Sequence, residues 1–314
     1  MVVGAGNIGP QIALSWALAG YRVNMVDLTE DILKRAVINI KSYLEFLAEG
    51  DVIGRKDIEL IVSRITPTTN LEHAVKNSDF VVEAIPESLR LKRELFQRLD
   101  QISSPDTILA SNASALTITS IAEATQRPER VIGYHVFAPA YIIPIIEVVV
   151  GAKTSPEVVE EVKAFVSSIG KVPIVCKDIP GKIVNRIQWA MTNEAMKLLE
   201  QNAASAEDID KACSLSFGLR LPVMGPLKAH DLVASKRTTL SALEYLYKET
   251  GDSAFRPTEL LRKKVEAGEL GLSSGRGWYS YEGADVGELL KKRDRLLIEM
   301  IKFLNSERVR ALAI

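Results

Sequence analysis

The stretch Val2-Val3-Gly4-Ala5-Gly6-Asn7-Ile8-Gly9 decides how the chain is read. Two β-branched residues lead into a G-x-G-x-x-G run, Pro10 to Ala19 carry a helical pattern that ends at Gly20, and a second apolar run, Arg22 to Val26, ends at Asp27. Three glycines alone would mean a turn. A strand before them, a helix after them and an acid about twenty residues on form the dinucleotide-binding fingerprint. Gly4 permits the tight turn, Gly6 lets the backbone approach a pyrophosphate, and Gly9 allows close packing of the helix. Asn7 and Ile8 stand where the first free N–H groups of that helix meet the phosphates. Asp27 can accept hydrogen bonds from an adenine ribose and would repel a 2′-phosphate, and Leu28-Thr29 bring no arginine to neutralise one. The expected cofactor is therefore NAD, not NADP. Only three residues precede Gly4, so the first strand is short for a central one.

Working outward, short β-branched runs alternate with amphipathic stretches as far as about Val175, the pattern of an α/β protein with a Rossmann-type doubly wound parallel sheet. Arg22–Val26, Phe80–Glu83, Thr107–Ala110, Val131–His135 and Ile145–Val150 read as strands, with helices over Leu89–Leu99 and Pro156–Ile169. The turn-rich Lys177-Asp178-Ile179-Pro180-Gly181 then closes this pattern. Beyond it, Ile183–Glu200, Ser205–Leu215, Pro226–Thr250, Pro257–Ala267 and Val286–Leu304 have apolar positions three and four apart. The expected organisation is a nucleotide-binding domain over 1–178 followed by an all-helical domain over 179–314.

Composition narrows the function. The 314 residues are 47% hydrophobic and 25% charged, as in an ordinary globular protein, and 39 basic against 40 acidic residues leave no footprint for a nucleic acid. Cys176 and Cys213 are too few for a disulfide framework, and with three histidines they give no metal-ligand cluster, which fits a reducing cytoplasm. The longest uncharged run, Val131 to Ile146, is too short to span a membrane and holds two prolines. No secretory signal or lipidation tail is read at either end. The chain reads as a cytoplasmic enzyme.

Chemistry in an open α/β sheet gathers at the carboxyl ends of strands. Ser111-Asn112-Ala113-Ser114 follows one strand, His135 closes the next, and Glu147 lies in the one after. A lone histidine is more often structural. A histidine at a strand end with an acid in the neighbouring strand supplies a general base and the carboxylate that orients it.

With these residues in place the chain resembles the 3-hydroxyacyl-CoA dehydrogenase family over nearly its whole length. The resemblance rests on Gly4-x-Gly6-x-x-Gly9, Val82-Glu83-Ala84-Ile85-Pro86-Glu87, Ser111–Ser114, Arg130–His135, Pro144–Glu147, Asp178–Arg186, Asn193-Glu194-Ala195, Asp208–Asp210, Met224–Pro226 and Gly275–Tyr279, in that order. It implies a Rossmann-type domain, a helical C-terminal domain that forms a homodimer, and a substrate cleft between them. It also implies that His135 is the base for the substrate hydroxyl, with Glu147 as its partner. Ser114 and Asn185 match donors to the substrate oxygen, where charge develops. Glu87, Lys92 and Ser114 match contacts to the nicotinamide half of the cofactor.

Several positions depart from the family pattern. Ala138 replaces the asparagine that follows the histidine, Lys182 replaces an aromatic residue, and Leu227–Arg237 replaces an apolar segment with a Gly-Leu-Asp turn. The family's CoA-contacting serine and lysine fall on Tyr43 and Gly50, in an acidic stretch. Two substrates follow from this: a 3-hydroxyacyl thioester, or a small free hydroxy acid of the L-gulonate or pyridine-carboxylate type. A non-catalytic NAD-binding protein is a third reading, opposed by the intact Ser114, His135, Glu147 and Asn185. Lys182 lies three residues before Asn185 and shares its face if the helix has begun, so it either points an ammonium toward an anionic substrate or is an exposed lysine at a helix start.

Overall fold

A computed structural model describes residues 1–310. One eight-stranded sheet holds β1 (Val2–Val3), β2 (Val23–Val26), β3 (Ile65–Thr68), β4 (Phe80–Glu83), β5 (Ile108–Ser111), β6 (Val131–His135), β7 (Ile145–Val150) and β8 (Val172–Lys177) in the order β3-β2-β1-β4-β5-β6-β7-β8. The two-residue β1 is nevertheless central, paired with β2 and β4, and the chain winds outward from it in both directions. That reversal is the topological switch point, where a doubly wound sheet opens its ligand crevice.

Helices α1 (Gly9–Leu18), α2 (Glu30–Glu49), α3 (Ile58–Ser63), α4 (Leu71–Val75), α5 (Leu89–Ile102), α6 (Ile118–Ala122) and α7 (Pro156–Ser168) accompany the sheet. Local chemistry starts them. Thr29, Asn70, Ser88, Thr117 and Ser155 each accept an N–H of the first turn of their helix. In α2 the buried Leu33, Ala36, Ile40, Leu44 and Leu47 recur at helical spacing and form one face against the sheet. Gly9 is indispensable at the start of α1: a Cβ there would lie 1.7 Å from the carbonyl oxygen of Gly4.

The sheet departs from the expected all-parallel form. β7 runs antiparallel to β6, and β8 is parallel to β7, so the last two strands oppose the first six. The residues between His135 and Ile145 contain no helix, and a parallel return needs a crossover of a dozen or more residues. Strands β3 and β8, which the sequence pattern did not reveal, contain Pro67 and Pro173 and lie at the two edges, where a missing N–H is tolerated.

Packing divides the chain into Met1–Thr192 and a second unit from Asn193 onward. The division falls inside α8 (Val184–Glu200), and Lys182, Ile183 and Val184 bond to Ser114 and Glu147 of the first unit. The last four residues of the expected 179–314 domain lie outside the described residues.

Helices α9 (Ala206–Leu215), α10 (Phe217–Val233), α11 (Lys236–Thr250), α12 (Glu259–Glu266), α13 (Val286–Asn305) and α14 (Glu307–Arg310) make up the second unit. Pro226–Thr250 is not one helix as expected. α10 kinks at Gly225, with φ 67°, and ends before Ser235, which caps α11. Asp231 and Lys236 form an ion pair in which both side chains are wholly buried. Asp231 also accepts the N–H groups of Trp278 and Tyr279, each at 3.1 Å, and the Tyr281 hydroxyl. The Lys236 ammonium lies 4.8 Å from the Trp278 ring centroid. A Cβ at Gly277 would approach within 2.3 Å of the Asp231 carboxylate, so the Gly275–Tyr279 turn and the altered Leu227–Arg237 segment are one packing unit. Among the described residues no helix is long and apolar enough to cross a membrane.

Candidate active site

The crevice at the switch point is built from the fingerprint. A cavity of about 1270 Å³ is lined by Gly4, Gly6 and Asp27, by Ile32, Arg35, Ala36 and Asn39 on one face of α2, and by Ile85 and Leu91 across the sheet. Gly4 has φ 102°, and a Cβ there would lie 2.6 Å from the carbonyl oxygen of Ala84, so only glycine lets β1 turn here. Gly6 is exposed, and a Cβ there would meet nothing within 4 Å, leaving its backbone open to a ligand. No side chain caps α1 and no acid stands in its first turn, so its positive end is available to an anion. Asn7 accepts the Gln11 amide, and Ile8 is the N-cap. Asp27 accepts the N–H groups of Ala5 and Leu28 at 2.6 Å each, which aims its carboxylate along the crevice rim. These residues fit a dinucleotide.

At the carboxyl ends of β5 and β6 and the amino end of the antiparallel β7 lies a second constellation. The antiparallel register sets His135 directly opposite Glu147, and such cross-strand neighbours stand close enough for their side chains to meet. His135 Nδ1 lies 2.7 Å from Glu147 Oε2, and Nε2 lies 3.2 Å from Ser114 Oγ. Glu147 is wholly buried, and its Oε1 accepts the N–H groups of Ile183 at 3.1 Å and Val184 at 2.8 Å. Burial alone would raise its carboxyl, but the bonds from His135, Val184 and Ile183 outweigh burial and hold it below the ordinary value. A carboxylate on Nδ1 keeps a proton there, which leaves Nε2 free to accept one. Asn185, in the first turn of α8, is 7% exposed, and its amide has no hydrogen-bond partner among the described residues.

The backbone beside Ser114 is held from two sides. Glu87 Oε1 accepts the N–H groups of Ala115 and Leu116 at 2.8 and 3.0 Å, which with Lys92 overcome burial and keep its carboxyl below the ordinary value. Lys182 Nζ donates to the carbonyls of Ser114 at 3.2 Å and Leu116 at 3.1 Å. Lys182 does not share a helical face with Asn185. It has φ 52° and follows Gly181 at φ 74°, ahead of the first turn of α8. Nor is it an exposed lysine, since its side chain is wholly buried. Burial lowers its ammonium below the usual lysine range against the opposing pull of Asp178, Glu87 and Glu147.

Lys92 is likewise enclosed. Its ammonium meets Glu83 at 2.5 Å, the carbonyl of Ile85 at 3.1 Å and Glu87 at 3.5 Å. Glu83, whose role the motif alone did not disclose, also accepts the Ser111 hydroxyl at 2.6 Å and so ties β4 to β5. Asp178, to which the turn and the Asp178–Arg186 motif assigned no role of its own, accepts the N–H groups of Ile118 and Thr119 at the start of α6. Ala138 is exposed, Gly50 closes α2, and Tyr43 stacks on Tyr141 with centroids 4.8 Å apart.

A dinucleotide crevice beside a buried carboxylate–histidine–serine array defines a dehydrogenase of the Rossmann class. Comparison with known proteins specifies the family. The NAD binding domain of 3-hydroxyacyl-CoA dehydrogenase matches residues 1–179 and its C-terminal domain matches 181–281, and the chain belongs to this family. Its cofactor is NAD. The chain is 40% identical to a probable 3-hydroxybutyryl-CoA dehydrogenase of Bacillus subtilis over 282 residues, 90% of this chain and 96% of the relative. A 3-hydroxyacyl-CoA dehydrogenase structure from Archaeoglobus fulgidus superposes with TM-score 0.79 at 32% identity, covering 96% of this chain and 97% of that one. A 5-formyl-3-hydroxy-2-methylpyridine 4-carboxylic acid 5-dehydrogenase, an NAD+-dependent dismutase, superposes with TM-score 0.71 at 28% identity and covers 97% of each chain.

Proposed function

We propose that the chain interconverts a 3-hydroxyacyl-CoA and the corresponding 3-ketoacyl-CoA. The observation that carries this reading is His135, buried with one nitrogen on Glu147 and the other beside Ser114, while Glu147 also accepts the N–H of Val184, the residue before Asn185. Gly4, Gly6, Asn7, Ile8, Gly9 and Asp27 hold the dinucleotide, and Glu87 and Lys92 shape its nicotinamide end. Bound NAD would supply the acceptor for the hydride that leaves the carbon bearing the hydroxyl. His135 Nε2 takes the hydroxyl proton, and Glu147 stabilises the imidazolium that results. Ser114 and Asn185 donate to the substrate oxygen as its charge changes. In the reverse direction the same imidazolium returns the proton.

The relatives named for acyl-CoA substrates support the thioester. The acidic Glu45, Glu49 and Asp51 around the end of α2, together with the full-length likeness to a pyridine-carboxylate dehydrogenase, favour a small free hydroxy acid as the second reading. Turnover of NADH with acetoacetyl-CoA, set beside a panel of small keto acids, separates the two. Turnover with neither class overturns both. Exposed Trp189 and Met196 on α8, and Ile301 and Phe303 on α13, support a homodimer, to be checked by sedimentation. The paucity of cysteines supports a cytoplasmic location.

A further inference from the structure

Three lysines are wholly buried among the described residues, and they are held differently. Lys92 pairs with Glu83 and Lys236 with Asp231, whereas Lys182 makes no salt bridge and rests on two backbone carbonyls. A buried ammonium without a carboxylate at contact distance is costly. A lysine with positive φ adds backbone strain, and the structure sustains both in one residue. The consecutive left-handed residues Gly181 and Lys182 accomplish two things together. They turn the following N–H groups of Ile183 and Val184 onto Glu147, and they place the Lys182 side chain under the Ser114–Leu116 segment. In that segment the N–H groups of Ala115 and Leu116 are therefore held by the Glu87 carboxylate, and the carbonyls of Ser114 and Leu116 by the Lys182 ammonium. With both its donors and its acceptors anchored, the segment has little freedom, and it carries the hydroxyl that meets His135 Nε2.

We propose that Lys182 is a positioning residue: its ammonium fixes the Ser114–Leu116 backbone so that the Ser114 hydroxyl stays against His135 Nε2. It touches neither substrate nor cofactor and acts through Ser114. This inference rests on the reading of Ser114 and His135 as the proton-transfer and oxygen-binding pair. In Lys182→Met the two carbonyls lose their donor and the segment relaxes. A displacement of about 1 Å in such a group costs on the order of 10²-fold in rate.

The test is a double-mutant cycle of Lys182→Met with Ser114→Ala, using whichever substrate the wild-type enzyme turns over best. Wild-type failure on every substrate would defeat the functional reading, whereas this proposal is judged only on a working enzyme. The expected result is a kcat lower by at least about tenfold in Lys182→Met, with the NADH Kd and the substrate KM little changed. The substitution should have no further effect in the Ser114→Ala background, since both act through one group. Propylammonium should restore kcat to Lys182→Ala, and propan-1-ol should not. If Lys182→Met does not fold, the cycle is run with Lys182→Gln, which keeps an N–H donor at shorter reach. Unchanged kcat, effects that add in the cycle, equal rescue by amine and alcohol, or a loss confined to the KM of anionic substrates would each overturn the proposal, the last in favour of direct anion binding.

Discussion

Replacing Glu147 by glutamine removes one charge and changes almost no volume, and the structure shows why that is enough. The carboxylate has two duties, one on each oxygen: Oε2 faces His135 Nδ1, and Oε1 receives the N–H groups of Ile183 and Val184. An amide cannot perform both as the carboxylate does. If its oxygen stays on the two backbone donors, its NH2 faces Nδ1, which must then accept; the ring proton moves to Nε2, and the base toward substrate is lost. If the amide flips, its NH2 opposes two buried N–H groups, each left unsatisfied at about 1 to 3 kcal/mol. The first arrangement is the less costly, so Glu147→Gln should fold and bind cofactor while losing turnover. A histidine held in the wrong tautomer costs on the order of 10² to 10⁴ in rate, or about 3 to 5 kcal/mol of barrier. Steady-state kcat over a pH series, with NADH affinity by fluorescence titration, measures the effect. The crevice cavity that would take the adenosine half is lined by residues up to Arg98, Glu147 not among them, so affinity should change by less than about threefold. Turnover near the wild-type value, or an NADH affinity that falls in step with kcat, would refute the assignment.

Other outcomes follow from groups already placed. NADPH should bind at least about tenfold more weakly than NADH, because Asp27 opposes the 2′-phosphate, and Asp27→Ala should narrow the gap, with Arg35 on the same cavity wall favouring the added charge; equal affinities in the wild type, by fluorescence titration, would exclude this role. Glu147 and Glu87 both have carboxyls held below the ordinary value of 4.5, so their contribution to stability is complete above that value and is lost as pH falls through their lowered folded-state values. Urea unfolding at stepped pH should show this acid loss, and Glu147→Gln should make it shallower. Lys236→Met strands the buried Asp231 carboxylate and should destabilise the second unit by about 3 to 5 kcal/mol, with Asp231→Asn restoring part of the loss, read by thermal unfolding.

How far the site can be read from the chain differs by residue for physical reasons. Gly4, Gly9 and Asp27 are legible because backbone sterics and ribose chemistry admit few alternatives. His135 is legible as a strand-end residue and Glu147 as an acid in the next strand, yet what makes them partners is the antiparallel turn between β6 and β7, and strand runs carry no mark of direction. The edge strands β3 and β8 escape notice because Pro67 and Pro173 argue against a strand anywhere except where these two lie. Lys182 is the opposite case. Its place depends on two successive left-handed residues, a local conformation without periodicity, so extrapolating the helix of Asn185 backward aims it wrongly. Glu83 and Asp178 belong with it, since each acts by satisfying N–H, hydroxyl or ammonium groups from segments distant in sequence. Residues that would meet the cofactor or the reacting oxygen are therefore visible through motif chemistry. Those that hold them in place become visible only when the buried donors and acceptors can be matched, and in this chain the least legible of them, Lys182, is fixed to the carbonyl of the catalytic candidate Ser114 itself.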